Sequence, residues 1–413
     1  MHTLAQLKSG ELAGAQRLTL SADLTSLPAE ILSLADSLEI LDVSNNKLSS
    51  LPPELAQLKK LKILFASNNC FTSLPEVLGQ CENLEMIGFK SNQIRTITAN
   101  ALPAKLRWLT LTDNEIESLP DALGQCPRLQ KLMLAGNRLQ VLPQSLAQCQ
   151  NLELLRISAN QLQHCPEHIL DLPKLAWLAF AGNPFSQDDA HSVSVPEVPS
   201  SSYTLQHVLG QGASGVISKA TWDTPPPHLA RDIAVKIFKG EVTSDGYPQN
   251  ELRACVKAGN HPNLVKLIAK VEEENCLALV MNLIPPRYKN LGQPPSFSSC
   301  TRDTFADGFT LSIAQISKIV EQITSVVAHL HDQQLCHGDV YAHNTLFDDD
   351  ANILFGDFGA ASMYHMLSAQ QQSKIKTIEA RALDYFIDDL LSVCTQEDQC
   401  SPQFIKLRKQ SLR

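Results

Sequence analysis

No part of this chain is strongly basic. Its 413 residues carry a net charge of −9, divided almost evenly as about −5 before residue 203 and about −4 after it. Without a Lys/Arg run, the electrostatic footprint of a nucleic-acid binder is missing. No run of about 18 apolar residues exists, which argues against a membrane-spanning helix. The stretch from Met1 to Gly10 lacks the apolar core of a secretion signal. The 11 cysteines are odd in number and none has metal-ligand spacing. Cys81, Cys126 and Cys149 recur in Gln-Cys pairs and read as small buried apolar residues of a reducing compartment. These absences point to a cytoplasmic, globular protein without a membrane span, with room for two or three domains.

What is present in the first half is a repeat. Leu38, Leu41, Val43, Asn46 and Leu48 give one copy of a Leu-x-x-Leu-x-Leu-x-x-Asn-x-Leu pattern, and Leu61, Leu64, Ala66, Asn69 and Phe71 give the next. The Asn returns at 92, 114, 137, 160 and 183, with a spacing of 23 residues except for one interval of 22. Leu-Pro pairs punctuate the intervals at 27–28, 51–52, 74–75, 119–120 and 142–143. Leu-x-Leu makes a short strand with one face inward, and the Asn side chain can bond backbone groups where the strand ends. Such a repeat cannot bury its own apolar face, so stability must come from stacking.

From about residue 15 to 185 the chain resembles a leucine-rich repeat protein of the short bacterial Leu-Pro type. The resemblance implies an α/β solenoid over 1–185, with residues 1–30 as a degenerate cap, and a bacterial source. It also implies a concave face that binds a protein substrate or partner. Asp42, Ser44, Phe65, Ser67, Lys90, Thr110, Thr112, Met133, Arg156 and Ser158 occupy its variable strand positions. Residues 186–202, rich in Ser, Pro and acid, read as a linker, and a second domain follows over 203–413.

That second domain carries the parts of a phosphoryl-transfer site. Leu209, Gly210, Gly212, Gly215 and Ile217 spell a Gly-x-Gly-x-x-Gly loop followed by a strand pattern, as a β-hairpin over phosphates requires. Ile233 to Ile237 is a strand with Lys236 set among aliphatics, where it can hold the α- and β-phosphates. Glu251, in an amphipathic segment, can pair with Lys236. His337-Gly338-Asp339, Asn344 and Asp357-Phe358-Gly359 follow. Asp339 can orient or deprotonate an acceptor hydroxyl, and Asn344 and Asp357 can hold Mg²⁺ on the phosphates of ATP.

With these pieces in order, residues 203 to about 391 resemble a eukaryotic-type protein kinase catalytic domain. The resemblance implies an α+β two-lobed fold. Leu209, Ile217 and Ala234 would lie about the nucleotide, Met281 would act as gatekeeper, and Asn282 and Leu283 would meet the adenine edge. Phe309 to Gln334 would form the long C-lobe helix.

The chain departs from that family in four places. Gly338 replaces the Arg that commonly pairs with an activation-loop phosphate. Tyr341 replaces the Lys that neutralises the γ-phosphate, leaving His343 or a substrate group to substitute. No Ala-Pro-Glu follows Asp357; Glu379 instead takes the place of the usual Asp of the buried C-lobe helix, which leaves a short activation segment and a truncated C-lobe that closes on a basic helix near 402–413. Finally, His-Gly-Asp is also how aminoglycoside and choline phosphotransferases write this loop, although they usually lack the Phe-Gly found at 358–359. The expectation is a serine/threonine protein kinase, with a nucleotide-binding pseudokinase adaptor and a small-molecule phosphotransferase as alternatives. Ser362, Tyr364, Ser368, Ser373 and Thr377 are candidate modification sites in the activation segment.

Overall fold

In a computed structural model the chain divides into two compact units, residues 1–175 with 183–185 and residues 176–182 with 186–413. The structure describes residues 2–187, 195–212, 214–225, 227, 229–240 and 242–411. The middle of the expected linker, residue 213 of the Gly-rich turn and the last two residues of the expected basic helix lie outside the described residues.

The first unit opens with α1 (Leu4–Ser9), started by a capping box between Thr3 and Gln6. Seven short strands follow: β1 (Arg17–Thr19), β2 (Ile40–Asp42), β3 (Ile63–Phe65), β4 (Met86–Gly88), β5 (Trp108–Thr110), β6 (Lys131–Met133) and β7 (Leu154–Arg156). They pair in parallel, in chain order and with equivalent residues in register. The central residues Leu18, Leu41, Leu64, Ile87, Leu109, Leu132 and Leu155 are fully buried. Pro28, Pro52, Pro75, Pro120 and Pro143 each open a 3₁₀ turn on the return path. Their fixed φ and missing N–H suit that position. A short α-turn, α2 (Glu167–Leu170), closes the series.

The repeated asparagines form a ladder. Asn137 accepts from Ile116 N (3.0 Å) and donates from Nδ2 to Leu111 O (2.9 Å) and Leu134 O (3.0 Å). Asn69, Asn114 and Asn160 repeat this arrangement. Each side chain thus satisfies backbone groups of two adjacent turns that burial would otherwise orphan.

The second unit contains β8 (Trp177–Ala179), so the strand of the last repeat, with Leu178-x-Phe180, belongs here. Its antiparallel sheet runs in the order β12-β13-β11-β10-β9. The strands are β9 (Tyr203–Gln211), β10 (Gly215–Trp222), β11 (Asp232–Phe238), β12 (Leu267–Glu273) and β13 (Cys276–Asn282), and α3 (Pro248–Ala258) lies between β11 and β12 in the chain. Tyr203, Trp222, Val235 and Val280 fill the core of this lobe.

The second lobe holds β14 (Lys289–Asn290), α4 (Ile313–Asp332), β15 (Leu335–Cys336), β16 (Thr345–Phe347), β17 (Ile353–Phe355), β18 (Ser362–Met363), α5 (Ala369–Ser392) and α6 (Pro402–Gln410). The long helix expected from Phe309 starts later, because the Ser312–Gln315 capping box fixes its first turn. A second capping box, Ser368–Gln371, starts α5 at Ala369. The non-helical activation segment therefore runs only over 357–368, shorter than the expected stretch to Glu379. Ser373 and Thr377 sit on the helix, while Ser362 and Tyr364 are fully buried and closed to modification in this conformation.

Among the ten expected partner-facing positions of the repeats, Thr112, Arg156 and Ser158 are buried, which removes them from an exposed binding face. The other seven are half-buried.

Candidate active site

Hairpin β9–β10 is antiparallel, and Gly212 N donates to Gly215 O (3.0 Å) where the loop turns. Gly210 and Gly212 have open space where a Cβ would sit. Gly215 differs: a Cβ there would lie 2.4 Å from Ile237 O, so its lack of a side chain serves the approach of β11.

A cavity of 490 Å³ lies under this hairpin. Leu209, Gly210, Ile217, Ala234, Lys236, Glu251, Met281, Asn282, Leu283, Asn344 and Asp357 line it, whereas Gly212, Gly215 and Asp339 are not among its lining residues. Leu346 and Leu354 line it from the second lobe. Sequence reading missed these two, yet each alternates with buried neighbours in β16 and β17, the pattern of a strand turned toward a half-covered space.

Lys236, on β11, is buried and ion-paired with Glu251 of α3. Its Nζ also lies 3.5 Å from Asp357 Oδ1. Burial works against the lysine's charge, but the carboxylates of Asp357 and Glu251 outweigh it and raise its pKa above the ordinary value. Asp357 has φ of 58°, a left-handed conformation rare for a non-glycine residue and typical of functional turns.

The loop from 337 to 344 is fixed from several sides. His337 is fully buried, and its Nε2 donates to Gly356 O (3.0 Å), since a carbonyl can only accept. Burial lowers its pKa and keeps it neutral. Glu379 Oε1, from α5, accepts from His337 N (2.6 Å) and Gly338 N (2.9 Å), and its Oε2 pairs with His331 Nε2 (2.6 Å). Asn344 Nδ2 donates to Asp339 Oδ2 (2.7 Å) and Asp339 O (3.1 Å).

Tyr341 is buried, and its ring stacks on Trp177 (4.6 Å between centroids) and lies 4.8 Å from His343. His343 lines the cavity, and its Nδ1 pairs with Asp303 Oδ1 (2.6 Å). Asp303 Oδ2 also accepts from Ala342 N (2.5 Å). Burial alone would lower the His343 pKa; Asp303 overrides it and the net direction is upward. No motif pointed to Asp303, because its partners lie about 40 residues away in sequence.

Asn344 and Asp357 offer an amide oxygen and a carboxylate to the cavity, the hard donors that Mg²⁺ takes beside substrate phosphates. Among the described residues, no group of three or more His, Cys, Asp or Glu side chains forms a metal cluster. No helix there is long and apolar enough to cross a membrane.

The protein kinase domain model matches residues 203–382, and the leucine rich repeat model matches 36–94 and 127–185. Similar curated proteins include the serine/threonine-protein kinase PrkC of Bacillus subtilis, 26% identical over 166 residues, 40% of this chain and 23% of that protein. NUAK family SNF1-like kinase 1 of Homo sapiens is 26% identical over 165 residues, 39% of this chain and 22% of that protein. The chain thus spans about a quarter of the length of such relatives. A leucine-rich repeat protein of Leptospira interrogans is 35% identical, with a TM-score of 0.41, over 43% of this chain and 45% of that one. The chain carries leucine-rich repeats and a protein kinase domain.

Proposed function

We propose that this chain is an ATP-dependent serine/threonine protein kinase, located in the cytoplasm, whose repeats over 1–185 recruit a protein substrate to the catalytic domain over 203–413. The observation that carries the reading is the simultaneous presence of the Lys236–Glu251 ion pair, the approach of Lys236 to Asp357 and the Asn344–Asp339 hydrogen bond. Phosphoryl transfer calls on groups of these kinds, which supports the reading.

Lys236 holds the α- and β-phosphates, and Glu251 fixes its position. Leu209, Ile217, Ala234 and Met281 enclose the base, and the backbone of Asn282 and Leu283 meets its edge. Gly210 and Gly212 let the hairpin backbone come close to phosphate. Asn344 and Asp357 would hold Mg²⁺, which when bound offsets charge on the phosphates. Asp339 takes the proton of the acceptor hydroxyl. That oxygen forms its bond to the γ-phosphorus as the bond to the β,γ-bridging oxygen breaks and ADP leaves. His343, held by Asp303, would stand in for the missing lysine.

Phosphate transfer to generic protein acceptors by wild type and Lys236→Met tests the reading. Label on protein that depends on Lys236 supports it. Turnover that requires a small metabolite and labels no protein would instead indicate a small-molecule phosphotransferase. The buried, stacked Tyr341 favours a second reading, a pseudokinase that binds nucleotide without transferring phosphate.

A further inference from the structure

The segment 176–182 is built into the second unit at the catalytic loop. Trp177 is almost fully buried, with its indole stacked on the rings of Tyr341 (4.6 Å, 8° between planes) and Tyr385 of α5 (5.3 Å, 18°). Its Nε1 donates to Val340 O (3.2 Å), inside the loop that carries Asp339. Three residues on, Phe180 N (2.9 Å) and Ala181 N (3.1 Å) both donate to Ser362 Oγ, in the activation segment. Ser362 is fully buried, and its residue pairs with Cys336 between β18 and β15.

Gly338 fits the same arrangement. Its φ is 70°, and a Cβ there would lie 2.7 Å from both Leu178 O and Ala360 O. The residue that replaces the usual arginine is therefore the one that admits the backbone of 176–182. A side chain at 338 would run into the backbone of Leu178 and Ala360.

We propose that 176–182 is an internal strut for the catalytic loop and activation segment, with Trp177 as its positioning residue, so that this domain reaches its transfer geometry without activation-segment phosphorylation. The proposal rests on the kinase reading above for its effect on rate. Trp177 is not among the residues lining the nucleotide cavity. Its replacement acts on Asp339 through Val340 and Tyr341, so kcat falls while KM for ATP stays.

The test compares Trp177→Phe, Trp177→Ala and wild type in the full chain, by phosphotransfer kinetics and by hydrogen–deuterium exchange of peptides covering 337–344 and 359–363. Trp177→Phe keeps an aromatic stack but loses one hydrogen bond, and should lower kcat by roughly 2- to 12-fold. Trp177→Ala frees the loop and should lower kcat on the order of 10²-fold, with exchange in both peptides accelerated and KM for ATP changed by less than about twofold. If Trp177→Ala does not fold, Trp177→Phe decides the matter with the same readouts. Unchanged kcat and unchanged exchange in a folded variant would overturn the strut. If wild type transfers no phosphate, the kinase reading fails, and the exchange comparison still decides whether Trp177 orders the loop.

Discussion

Replacing Glu379 should loosen the second unit by an amount that its hydrogen bonds set. Its side chain is 2% exposed, and one oxygen accepts two backbone N–H groups of the catalytic loop while the other pairs with His331. Hydrogen bonds to a charged group contribute about 1.5–3 kcal/mol each, so Glu379→Ala should cost about 3–6 kcal/mol for the two backbone bonds. That is a large share of the roughly 5–15 kcal/mol that holds a typical domain folded. Glu379→Gln keeps a carbonyl oxygen for both N–H groups and should cost only about 1–2 kcal/mol. Urea unfolding followed by tryptophan fluorescence measures this, in a Trp108→Phe background. Of the three tryptophans, Trp177 and Trp222 then report the second unit alone. Unfolding of Glu379→Ala at the wild-type urea concentration, or equal damage from Glu379→Gln and Glu379→Ala, would show that these bonds do not hold the unit.

Asn137→Ala removes a ladder side chain that makes two hydrogen bonds to the preceding turn and one within its own, and should lower the stability of the first unit by about 2–4 kcal/mol in urea unfolding. Gly338→Ala adds a Cβ 2.7 Å from two carbonyl oxygens at a φ of 70°, and should lower the melting temperature of the second unit by several degrees, about 1–3 kcal/mol. Of the eleven cysteines Cys70 and Cys400 are exposed, Cys165, Cys255 and Cys276 are half-buried and the other six are buried, and burial pushes Cys81 up to about 11 and Cys149 up to about 12. A thiol reagent at pH 8 should therefore titrate two groups rapidly in the native protein, at most the three half-buried ones more slowly, and eleven after denaturation.

The repeat was legible in the sequence because its signal is periodic. One asparagine per turn and one leucine per inward position leave little else for the chain to form. The kinase motifs were legible for a different reason, since Lys236, Glu251, Asp339, Asn344 and Asp357 are residue types that bland structure rarely needs in that order. Asp303 and Trp177 were not legible. Asp303 reaches Ala342 and His343 across about 40 residues, and Trp177 reaches Val340 across 163, so neither leaves a local pattern. Gly338 was read as the loss of an arginine. Its meaning as the gap that admits Leu178 needed the fold. The long helix was placed too early at Phe309 and the activation segment was carried too far, to Glu379, because apolar spacing does not mark an end, whereas the capping boxes at Ser312 and Ser368 do.

In the function proposed above, Asp339 drives phosphate transfer to a protein hydroxyl. Transfer from γ-labelled ATP with Mg²⁺ by wild type and Asp339→Asn, with nucleotide affinity measured alongside, tests it most directly. Wild type should label protein Ser or Thr, and Asp339→Asn should lose this on the order of 10²- to 10⁴-fold while still binding ATP. Equal background labelling by both proteins, with ATP bound by each, would contradict it and leave a nucleotide-binding adaptor in its place.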